Sequence, residues 1–469
     1  MSIEAPVHVH ETAAAAVPGD SDASASQNSP QQQPPNVQFP ALVIGGGPAG
    51  LMAAEVLALS GHPVVVVDRM RTPGRKFTLA GRGGLNLTHS ESPDAFLARY
   101  RPSDERLVRA IRDFSPTALR AWAAQLGEGT FEGTSGRVFP DSFGAIPLLR
   151  SWIDRLSRMG VTFERQLRWE GWKRVPTATD PREPDGAQIS SGPYVHRFVH
   201  AVTGVVSERE ADVTVLTLGG ASWPGTGSDG SWVEVIAASG VAISALVPSN
   251  CGYRFAWSEH FRSKHAGKPL KNVAISVNGE HRRGELMITR EGLEGGLMYA
   301  VGPLVRSAAA GNTEIEVELD LRADVSVKTL AKSLNSPQGS QSTSTWLHKR
   351  AHLSGSAIAL LRECVDELPR EPGELARLIK QVPVVLEGPT AIERAISTAG
   401  GISFEELDDH FMLRRFPGVF VAGEMLNWDA PTGGYLLQAC CSTGRAAGKG
   451  ATAWVEQQLC HSPHSQGVK

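Results

Sequence analysis

The sequence has few cysteines, and they form no pattern that would indicate a metal or disulfide site. Its five cysteines are Cys251, Cys364, Cys440, Cys441 and Cys460. An odd, sparse set does not indicate a secreted disulfide framework, and no CxxC pair or Cys/His cluster has zinc spacing. We therefore expect no metal site and a reducing compartment. The adjacent cysteines are expected to pack as small buried residues rather than to act as a redox pair.

The sequence also lacks an excess of either charge and a long apolar run. Lys and Arg number 46 against 49 Asp and Glu, the net charge is −3, and aromatic residues make up 6% of the chain. These values favour neither a nucleic acid nor an anionic membrane as partner. The apolar run Val64–Val67 is too short to span a bilayer, and the first basic residue is Arg69, which argues against a targeting peptide. We expect a cytoplasmic protein with a small-molecule substrate; the sequence does not indicate an oligomeric state.

Glycine, by contrast, is abundant. The chain of 469 residues has 49 glycines, whereas a usual share of roughly 7% would give about 33. The excess has no collagen-like period, and 41% of the residues are hydrophobic. The composition therefore predicts a large globular protein with many tight backbone turns.

The first ordered segment has the pattern of a β-α-β unit. Residues 1–38 are poor in large apolar groups, which predicts a disordered tail. Ala41–Ile44 and Val64–Val67 are short apolar runs typical of buried strands, and Leu51–Leu59 between them has a helical pattern. A unit of this length predicts a parallel sheet and an α/β fold.

The rest of the chain divides into segments of different character. We expect one discontinuous domain built from residues 39–242 and 388–458, interrupted by a mixed sheet and helical insert domain at 243–387, and a flexible tail at 459–469. Helices are predicted at Asp104–Phe114, Pro116–Leu126, Pro147–Met159, Ala357–Leu368, Gly373–Lys380 and about Gly434–Gly450. Strands are predicted at Val213–Leu218, Val273–Val277, Gly284–Thr289, Glu314–Leu319 and Val419–Ala422, and a low-complexity loop at Asn335–Thr345.

The break between the first strand and helix, Gly45–Gly50, reads GxGxxG. Gly45 permits a tight turn, Gly47 lets the backbone approach a pyrophosphate, and Gly50 lets the helix lie close to the sheet. Asp68 follows the second strand, 23 residues after Gly45, where an acid accepts hydrogen bonds from a ribose. The acid would repel a 2′-phosphate, so the pattern predicts FAD or NAD.

A second segment favours FAD. In the segment Phe416–Glu424, the apolar strand Val419–Ala422 runs into Gly423-Glu424. The segment looks like the second FAD fingerprint of two-dinucleotide flavoproteins, in which the acid bonds the ribitol chain. The helix after Gly433-Gly434 would direct its positive end at one edge of the flavin.

Taken together, these segments resemble the BaiN/YhiN-like family of FAD-dependent oxidoreductases. The resemblance rests on four main blocks and two shorter ones: Val43–Gly50; Gly74–Lys76 with Gly81–Thr88; Gly219–Pro224 with Gly227–Gly230; Gly423–Glu424 with Pro431–Tyr435; Gly136–Pro140; and Thr398–Gly401. Many members read GGGRCN in the second block, but here the motif is AGRGGLN, with Leu85 in place of the cysteine. The departure indicates a distinct subgroup, so substrates of other members are not transferred.

The resemblance implies a glutathione-reductase-type FAD domain and an FAD-dependent oxidoreductase. Other members reduce activated carbon–carbon double bonds. We expect a reductase that passes hydride from NAD(P)H through flavin to an unknown small organic acceptor. No second nucleotide-binding unit is evident, so NAD(P)H is expected as a transient donor. A flavin oxidase or monooxygenase, a non-catalytic FAD-binding regulatory protein and a cofactor-free fold remain alternatives.

No catalytic residue can be assigned, although His89 and Tyr435 are candidate proton donors, Lys76 and Arg82 candidate anion partners, and Trp223 a candidate wall of the flavin site. The residues expected to bind the cofactor are Gly45, Gly47, Pro48, Ala49, Gly50, Asp68, Arg69, Lys76, Gly81, Gly83, Gly84, Asn86, Gly219, Gly220, Gly423, Glu424, Gly433, Gly434 and Tyr435.

Overall fold

The computed structural model describes residues 40–81, 83–174, 193–309 and 314–461. The predicted tail 1–38 and Arg82 lie outside these ranges. The last helix reaches His461, so it extends into the segment predicted as a C-terminal tail, of which 462–469 lie outside the described residues.

The strands are given in chain order. They are β1 Ala41–Ile44, β2 Val64–Asp68, β3 Thr88–His89, β4 Thr130–Glu132, β5 Arg137–Pro140, β6 Thr162–Arg165, β7 Leu167–Arg174, β8 Tyr194–His200, β9 Val206–Ala211, β10 Thr214–Leu216, β11 Ile243–Ser249, β12 Tyr253–Arg254, β13 Pro269–Val277, β14 Glu280–Ile288, β15 Gly292–Glu294, β16 Ile315–Asp320, β17 Val382–Leu386, β18 Ser397–Ile402 and β19 Val419–Val421.

The α-helices are numbered in the same way. They are α1 Pro48–Leu59, α2 Arg75–Ala80, α3 Pro93–Leu97, α4 Glu105–Asp113, α5 Pro116–Gln125, α6 Ala145–Arg158, α7 Trp232–Ala238, α8 Glu259–His265, α9 Gly296–Ala309, α10 Val327–Leu334, α11 Thr343–Ala351, α12 Gly355–Glu363, α13 Pro372–Lys380 and α14 Tyr435–His461.

The centre of the fold is a five-stranded parallel sheet with the strand order β19-β10-β1-β2-β6. β1 is fully buried, with α1 and α14 packed against one another beside it. The chain leaves β1 for β2 on one side and later returns to β10 on the other. The sheet therefore has a topological switch point between β1 and β10, where doubly wound folds hold their ligands. The predicted α/β class with a parallel sheet is confirmed.

Antiparallel sheets complete the fold. The segment predicted as an insert contributes a six-stranded sheet in the order β12-β15-β14-β13-β16-β17, covered by helices that include α9. Two three-stranded sheets, β3-β5-β4 and β7-β8-β9, and the pair β11-β18 lie outside both larger sheets.

The buried apolar side chains fall into two clusters. One cluster takes its residues from 41–241 and 402–455, and the other takes its residues from 251–395. Since each cluster has its own strands and helices, each buries apolar surface without needing the other.

Most predicted elements occur with shifted ends, and one of the differences has a clear local cause. Within the predicted loop Asn335–Thr345, Ser342 accepts a hydrogen bond from the Thr345 amide and starts α11 at Thr343. The helix predicted to reach Leu368 ends at Glu363, and the Glu363 carboxylate accepts a hydrogen bond from the Ser258 hydroxyl. Besides α11, helices α2, α3, α7, α8, α9 and α10 are additional to those predicted.

Within the described ranges, no helix is long and apolar enough to cross a membrane.

Candidate functional site

A cleft opens at the carboxyl ends of β1 and β10, at the switch point of the central sheet. It is lined by residues 44–49, 67–69, 74–77, 167–169, 217–219, 226–229, 231–232, 422–424 and 440. These segments come from widely separated parts of the chain, and they meet because parallel strands present their carboxyl ends at one edge of a sheet.

The glycines of the first loop have different roles. A Cβ on Gly47 would have no atom within 4 Å, so its backbone faces open space in the cleft. A Cβ on Gly50 would lie 1.9 Å from the Gly45 carbonyl oxygen, so Gly50 is required for the close packing of helix on sheet. Thr217, at the end of β10, donates from Oγ1 to the Gly45 carbonyl at 2.7 Å and fixes the turn from the other side.

The start of α1 offers an anion site. Gly47 is the N-cap and contributes no side-chain cap, and Pro48 follows it within the first turn. The first amide groups of a helix have no partner within the helix, and the helix dipole adds positive charge there. The amides after Pro48 therefore suit a pyrophosphate.

Asp68 holds the same loop from the β2 side. Its Oδ2 accepts from the Gly46 amide at 2.7 Å, and its Oδ1 accepts from the Met70 amide at 2.7 Å. Burial raises the pKa of Asp68, and the two amide hydrogen bonds act against that rise. Each carboxylate oxygen keeps a further lone pair that a ribose hydroxyl could use.

Arg69 and Asp229 form an ion pair at the edge of the cleft. Burial acts to raise the pKa of Asp229, but hydrogen bonds from Arg69 and Ser231 outweigh it and lower the pKa. The neighbouring Ser228 hydroxyl is buried and has no hydrogen-bond partner among the described residues. A buried polar atom without a partner in the lining of a cleft suits a ligand that supplies one.

Lys76 and Glu424 also meet in the lining of the cleft. Lys76 Nζ donates to Glu424 Oε2 at 2.8 Å and to Ser222 Oγ at 2.7 Å. The other carboxylate oxygen, Oε1, accepts from the Thr398 amide at 3.3 Å. Lys76 therefore has protein partners here rather than a free ammonium.

The adjacent cysteines behave as buried packing residues. Cys440 lines the cleft on α14, and burial raises the pKa of its thiol to about 12. Burial also raises the pKa of the Cys441 thiol. A thiol that stays protonated is a poor nucleophile and a poor redox group.

The Gly81–Thr88 part of the second sequence block lies outside the cleft lining, although Gly74–Lys76 belong to that lining. A Cβ on Gly81 would lie 2.5 Å from the Ala145 Cβ, and one on Gly84 would lie 2.4 Å from the Phe143 ring, so both glycines allow close packing of protein on protein. Gly83 has open space beside it. The Asn86 Oδ1 is buried without a partner among the described residues, which leaves it able to accept a hydrogen bond.

Tyr435, at the start of α14, is packed rather than exposed to a ligand. It is 4% exposed, its ring stacks on His89 with centroids 5.3 Å apart, and its hydroxyl donates to Glu91 Oε1 at 2.5 Å. The Gly434 that precedes it would place a Cβ 2.5 Å from the Thr88 Cα. The loop before α14 is thus held tightly against β3.

The structure brings together about half of the residues predicted to bind the cofactor. Those that line the cleft are Gly45, Gly47, Pro48, Ala49, Asp68, Arg69, Lys76, Gly219, Gly423 and Glu424. Those outside its lining are Gly50, Gly81, Gly83, Gly84, Asn86, Gly220, Gly433, Gly434 and Tyr435. Trp223 is also outside it and is 42% exposed. Thr217, Ser228 and Asp229 are among the lining residues that the sequence analysis did not name as cofactor-binding. The place of Thr217 near the end of the predicted strand Val213–Leu218 was a usable signal.

No group of His, Cys, Asp and Glu in the described part of the chain could hold a metal ion.

Comparison with known proteins identifies a family to which this chain is similar. The family model described as HI0933-like protein Rossmann domain matches residues 39–450. The 3-dehydro-bile acid delta(4,6)-reductase of Clostridium scindens is 25% identical over 431 residues, covering 87% of this chain and 98% of the relative. The ribosomal RNA dihydrouridine synthase of Escherichia coli is 23% identical over 424 residues, covering 87% and 97%.

A solved structure also aligns with most of this chain. The 3-ketosteroid delta1-dehydrogenase from Sterolibacterium denitrificans matches with a TM-score of 0.49 at 13% identity, and the match covers 88% of this chain and 99% of that one.

Proposed function

The chain belongs to the HI0933-like Rossmann family, a family of FAD-dependent oxidoreductases, and we propose that it is a reductase that uses NAD(P)H to reduce a small organic acceptor. The observation that carries the proposal is the meeting of the 45–50 loop and Gly423-Glu424 in one cleft. The resemblance inferred from the sequence blocks is confirmed by the family match.

The residues of the cleft fit FAD. Gly47 leaves an open cradle that any side chain would fill, and the amides at the start of α1 would hold the pyrophosphate. Asp68 would accept a hydrogen bond from a ribose hydroxyl, and Glu424 would accept one from a ribitol hydroxyl. The buried Ser228 hydroxyl has no hydrogen-bond partner among the described residues, and the cofactor would supply one. Bound FAD supplies hydride transfer, which no amino acid side chain provides.

The protein residues contribute binding and positioning. Lys76 holds the Glu424 carboxylate in place, and Ser222 holds the Lys76 ammonium. Thr217 and Asp68 fix the phosphate loop from both sides, so the loop need not order when the cofactor binds.

The relatives suggest the class of acceptor. The bile acid enzyme is named a delta(4,6)-reductase, and dihydrouridine is uridine with one carbon–carbon double bond reduced. Both names describe addition of hydrogen to a double bond conjugated to a carbonyl group. We propose an acceptor of this kind for the present chain, small rather than nucleic acid, as the charge balance favours.

We also propose that one domain binds the cofactor and that the other contributes the substrate side. The two apolar clusters support an FAD domain at 39–242 and 388–458 and a substrate-side insert at 243–387, although Ala395 packs in the second cluster.

Anaerobic mixing of the FAD-loaded protein with NADH and with NADPH tests the donor. Loss of the visible flavin absorbance with either one supports a reductase, and a following screen should find oxidation by a carbonyl-conjugated alkene. Absorbance unchanged by both would exclude a nicotinamide-dependent reductase and favour an oxidase, a monooxygenase or a non-catalytic flavoprotein. Failure of the protein to take up FAD would exclude every one of these flavoprotein functions. Reoxidation of the reduced flavin by ribosomal RNA, and by no small molecule in the screen, would exclude a small acceptor.

A further inference from the structure

A second cavity lies between the two apolar clusters. It has a volume of about 370 Å³ and takes its lining from the Arg101-Pro102 segment, α9, the Ala399-Gly400 part of β18 and residues 427–429. Its walls combine apolar surface, such as Pro102 and Trp428, with two arginines. A pocket of this kind suits an organic molecule with one anionic group.

Arg101 is the cation available to such a molecule. Its guanidinium has no hydrogen bond or ion pair with any residue in the described ranges. Its backbone is nevertheless fixed, because the Arg101 amide donates to the Asp429 carbonyl at 2.9 Å and the Asp429 amide donates to the Arg101 carbonyl at 2.7 Å. The backbone is therefore already ordered, and binding of an anion would have to order only the side chain, at a cost of about 0.5–1.5 kcal/mol.

Arg306 gives the cavity its second guanidinium, but its charge is already balanced. It forms an ion pair with Asp429, which is 8% exposed, and Ser249 Oγ donates to Asp429 Oδ1 at 2.7 Å. This cluster joins α9 to β11 and to the segment after Glu424. It fixes the cavity wall and leaves Arg101 as the uncompensated charge.

The cavity is linked directly to the cofactor cleft. Thr398, next to Ala399 in the cavity wall, donates its amide to Glu424 in the cleft at 3.3 Å. Asn427 in the cavity wall comes three residues after Glu424 in the chain. The segment 424–429 therefore contributes to both linings, and the strand that lines the cavity is hydrogen-bonded to Glu424.

We propose that this cavity is the acceptor site and that Arg101 binds a carboxylate carried by an otherwise apolar acceptor. The inference rests on the proposed reductase, and it adds the charge and the binding residue of the substrate. Guanidinium is well suited to this role because its planar fork matches the two oxygens of a carboxylate.

Equilibrium binding to the FAD-loaded protein tests the proposal. The probes are trans-cinnamate and the larger 1-pyrenebutyrate, each compared with its uncharged primary amide by calorimetric titration. We expect each carboxylate that fits to bind about 10-fold more tightly than its amide, as for a charge-assisted hydrogen bond. Arg101→Gln should reduce that preference to within about 2-fold, and Arg101→Lys should retain part of it.

Arg150→Gln is the matched control, because Arg150 is an exposed arginine on α6 outside the cavity; it should keep the full preference. Arg306 is left unchanged, since its loss would leave Asp429 buried without its cation. Equal binding of acid and amide, a preference that survives Arg101→Gln, or failure of both carboxylates to bind would overturn the proposal. Failure of NAD(P)H to reduce the wild-type flavin would instead count against the proposed function, since binding is measured without turnover.

Discussion

Lys76 and Glu424, 348 positions apart in the chain, form a hydrogen-bonded ion pair with a distance of 2.8 Å between Nζ and Oε2. Lys76 lies on α2, after the first β-α-β unit, and Glu424 follows the strand at the far edge of the parallel sheet. Ser222, from a third sequence block, accepts from the same ammonium. Three blocks that the sequence separates thus meet at one nitrogen atom.

Glu424→Gln should weaken FAD binding. The carboxylate has one partner in Lys76 and is oriented by Thr398, so replacing it removes a charged acceptor and leaves Lys76 without its counter-charge. Hydrogen bonds to charged groups contribute about 1.5–3 kcal/mol, which corresponds to an increase in Kd of roughly 10- to 100-fold. Fluorescence titration of the apoprotein with FAD measures the change.

Glu91→Gln is the matched control for that experiment. Glu91 is also a half-buried acid with an arginine partner, Arg99, but it lies outside the cleft lining. Its variant should bind FAD with a Kd within about 2-fold of wild type. Equal affinity of the Glu424→Gln variant and wild type would show that Glu424 does not contact the cofactor.

Gly47→Val and Gly50→Ala should fail in different ways. A side chain at Gly47 meets no protein atom, so the variant should fold but lose FAD because the pyrophosphate cradle is filled. A methyl group at Gly50 would overlap the Gly45 carbonyl, so that variant should be destabilised by about 3 kcal/mol, as overpacked sites are. Urea unfolding and flavin content after purification measure the two effects.

Gly355→Val provides the control for Gly47→Val. A Cβ on Gly355, at the start of α12, would also have no atom within 4 Å, and this helix belongs to the other apolar cluster, outside the cleft lining. The variant should retain full flavin. A Gly47→Val protein that retains stoichiometric FAD would show that the phosphate site is elsewhere.

The first β-α-β unit, and the helix start at Ser115-Pro116, could be predicted because local signals specify them. Strand length, glycine spacing and N-cap chemistry act over a few residues, and the structure has β1, α1, β2 and α5 at the predicted places. Helix α9 was missed because its sequence contains Gly302 and Pro303, which normally indicate an interruption. It forms because its apolar face packs on β13 and β14, a contact that no local pattern reveals.

The parts of the cleft that local glycine spacing and strand ends specify could be predicted from the sequence. The side-chain contacts between distant segments could not. The 45–50 loop and Asp68 follow from spacing alone. The partners of Lys76 and Arg69 do not, because Glu424 and Asp229 come from distant segments. The glycines at 81 and 84 illustrate the same limit, since a Cβ there would meet Ala145 and Phe143, and the local sequence does not indicate these neighbours.

Replacing both cysteines of α14 with alanine should leave flavin reduction unchanged. Burial raises the pKa of Cys440 to about 12 and raises that of Cys441, so both thiols stay protonated at neutral pH. The double variant Cys440→Ala/Cys441→Ala should bleach with NAD(P)H at a rate within about 2-fold of wild type in a stopped-flow experiment. A loss of more than about 10-fold with FAD content intact would give the thiols a redox role.

His196 is a buried imidazole that should make stability depend on pH. Its ring is fully buried, Nδ1 accepts from Trp169 Nε1 at 3.2 Å, and Nε2 lies 2.8 Å from Thr214 Oγ1. With Nδ1 as acceptor, the single proton of the neutral ring is on Nε2 and is donated to Thr214. Burial lowers the pKa of His196 from 6.5 to about 3, because a charged ring in this position would lose its hydration.

The direction of the pH effect follows from that depressed pKa. Between the folded value of about 3 and the unfolded value of 6.5, the unfolded chain binds a proton at His196 that the folded chain does not, so stability falls as the pH falls. At about 1.4 kcal/mol per pH unit, the wild type should lose roughly 2 kcal/mol between pH 6.5 and pH 5 through this residue.

His196→Gln keeps a donor and an acceptor but cannot titrate. Urea unfolding of both FAD-loaded proteins at pH 7 and pH 5 measures the advantage of the wild type, which is its free energy of unfolding minus that of the variant. This advantage should be smaller at pH 5 than at pH 7 by about that amount. An advantage that is the same at both pH values would show that His196 titrates alike in the folded and unfolded chains.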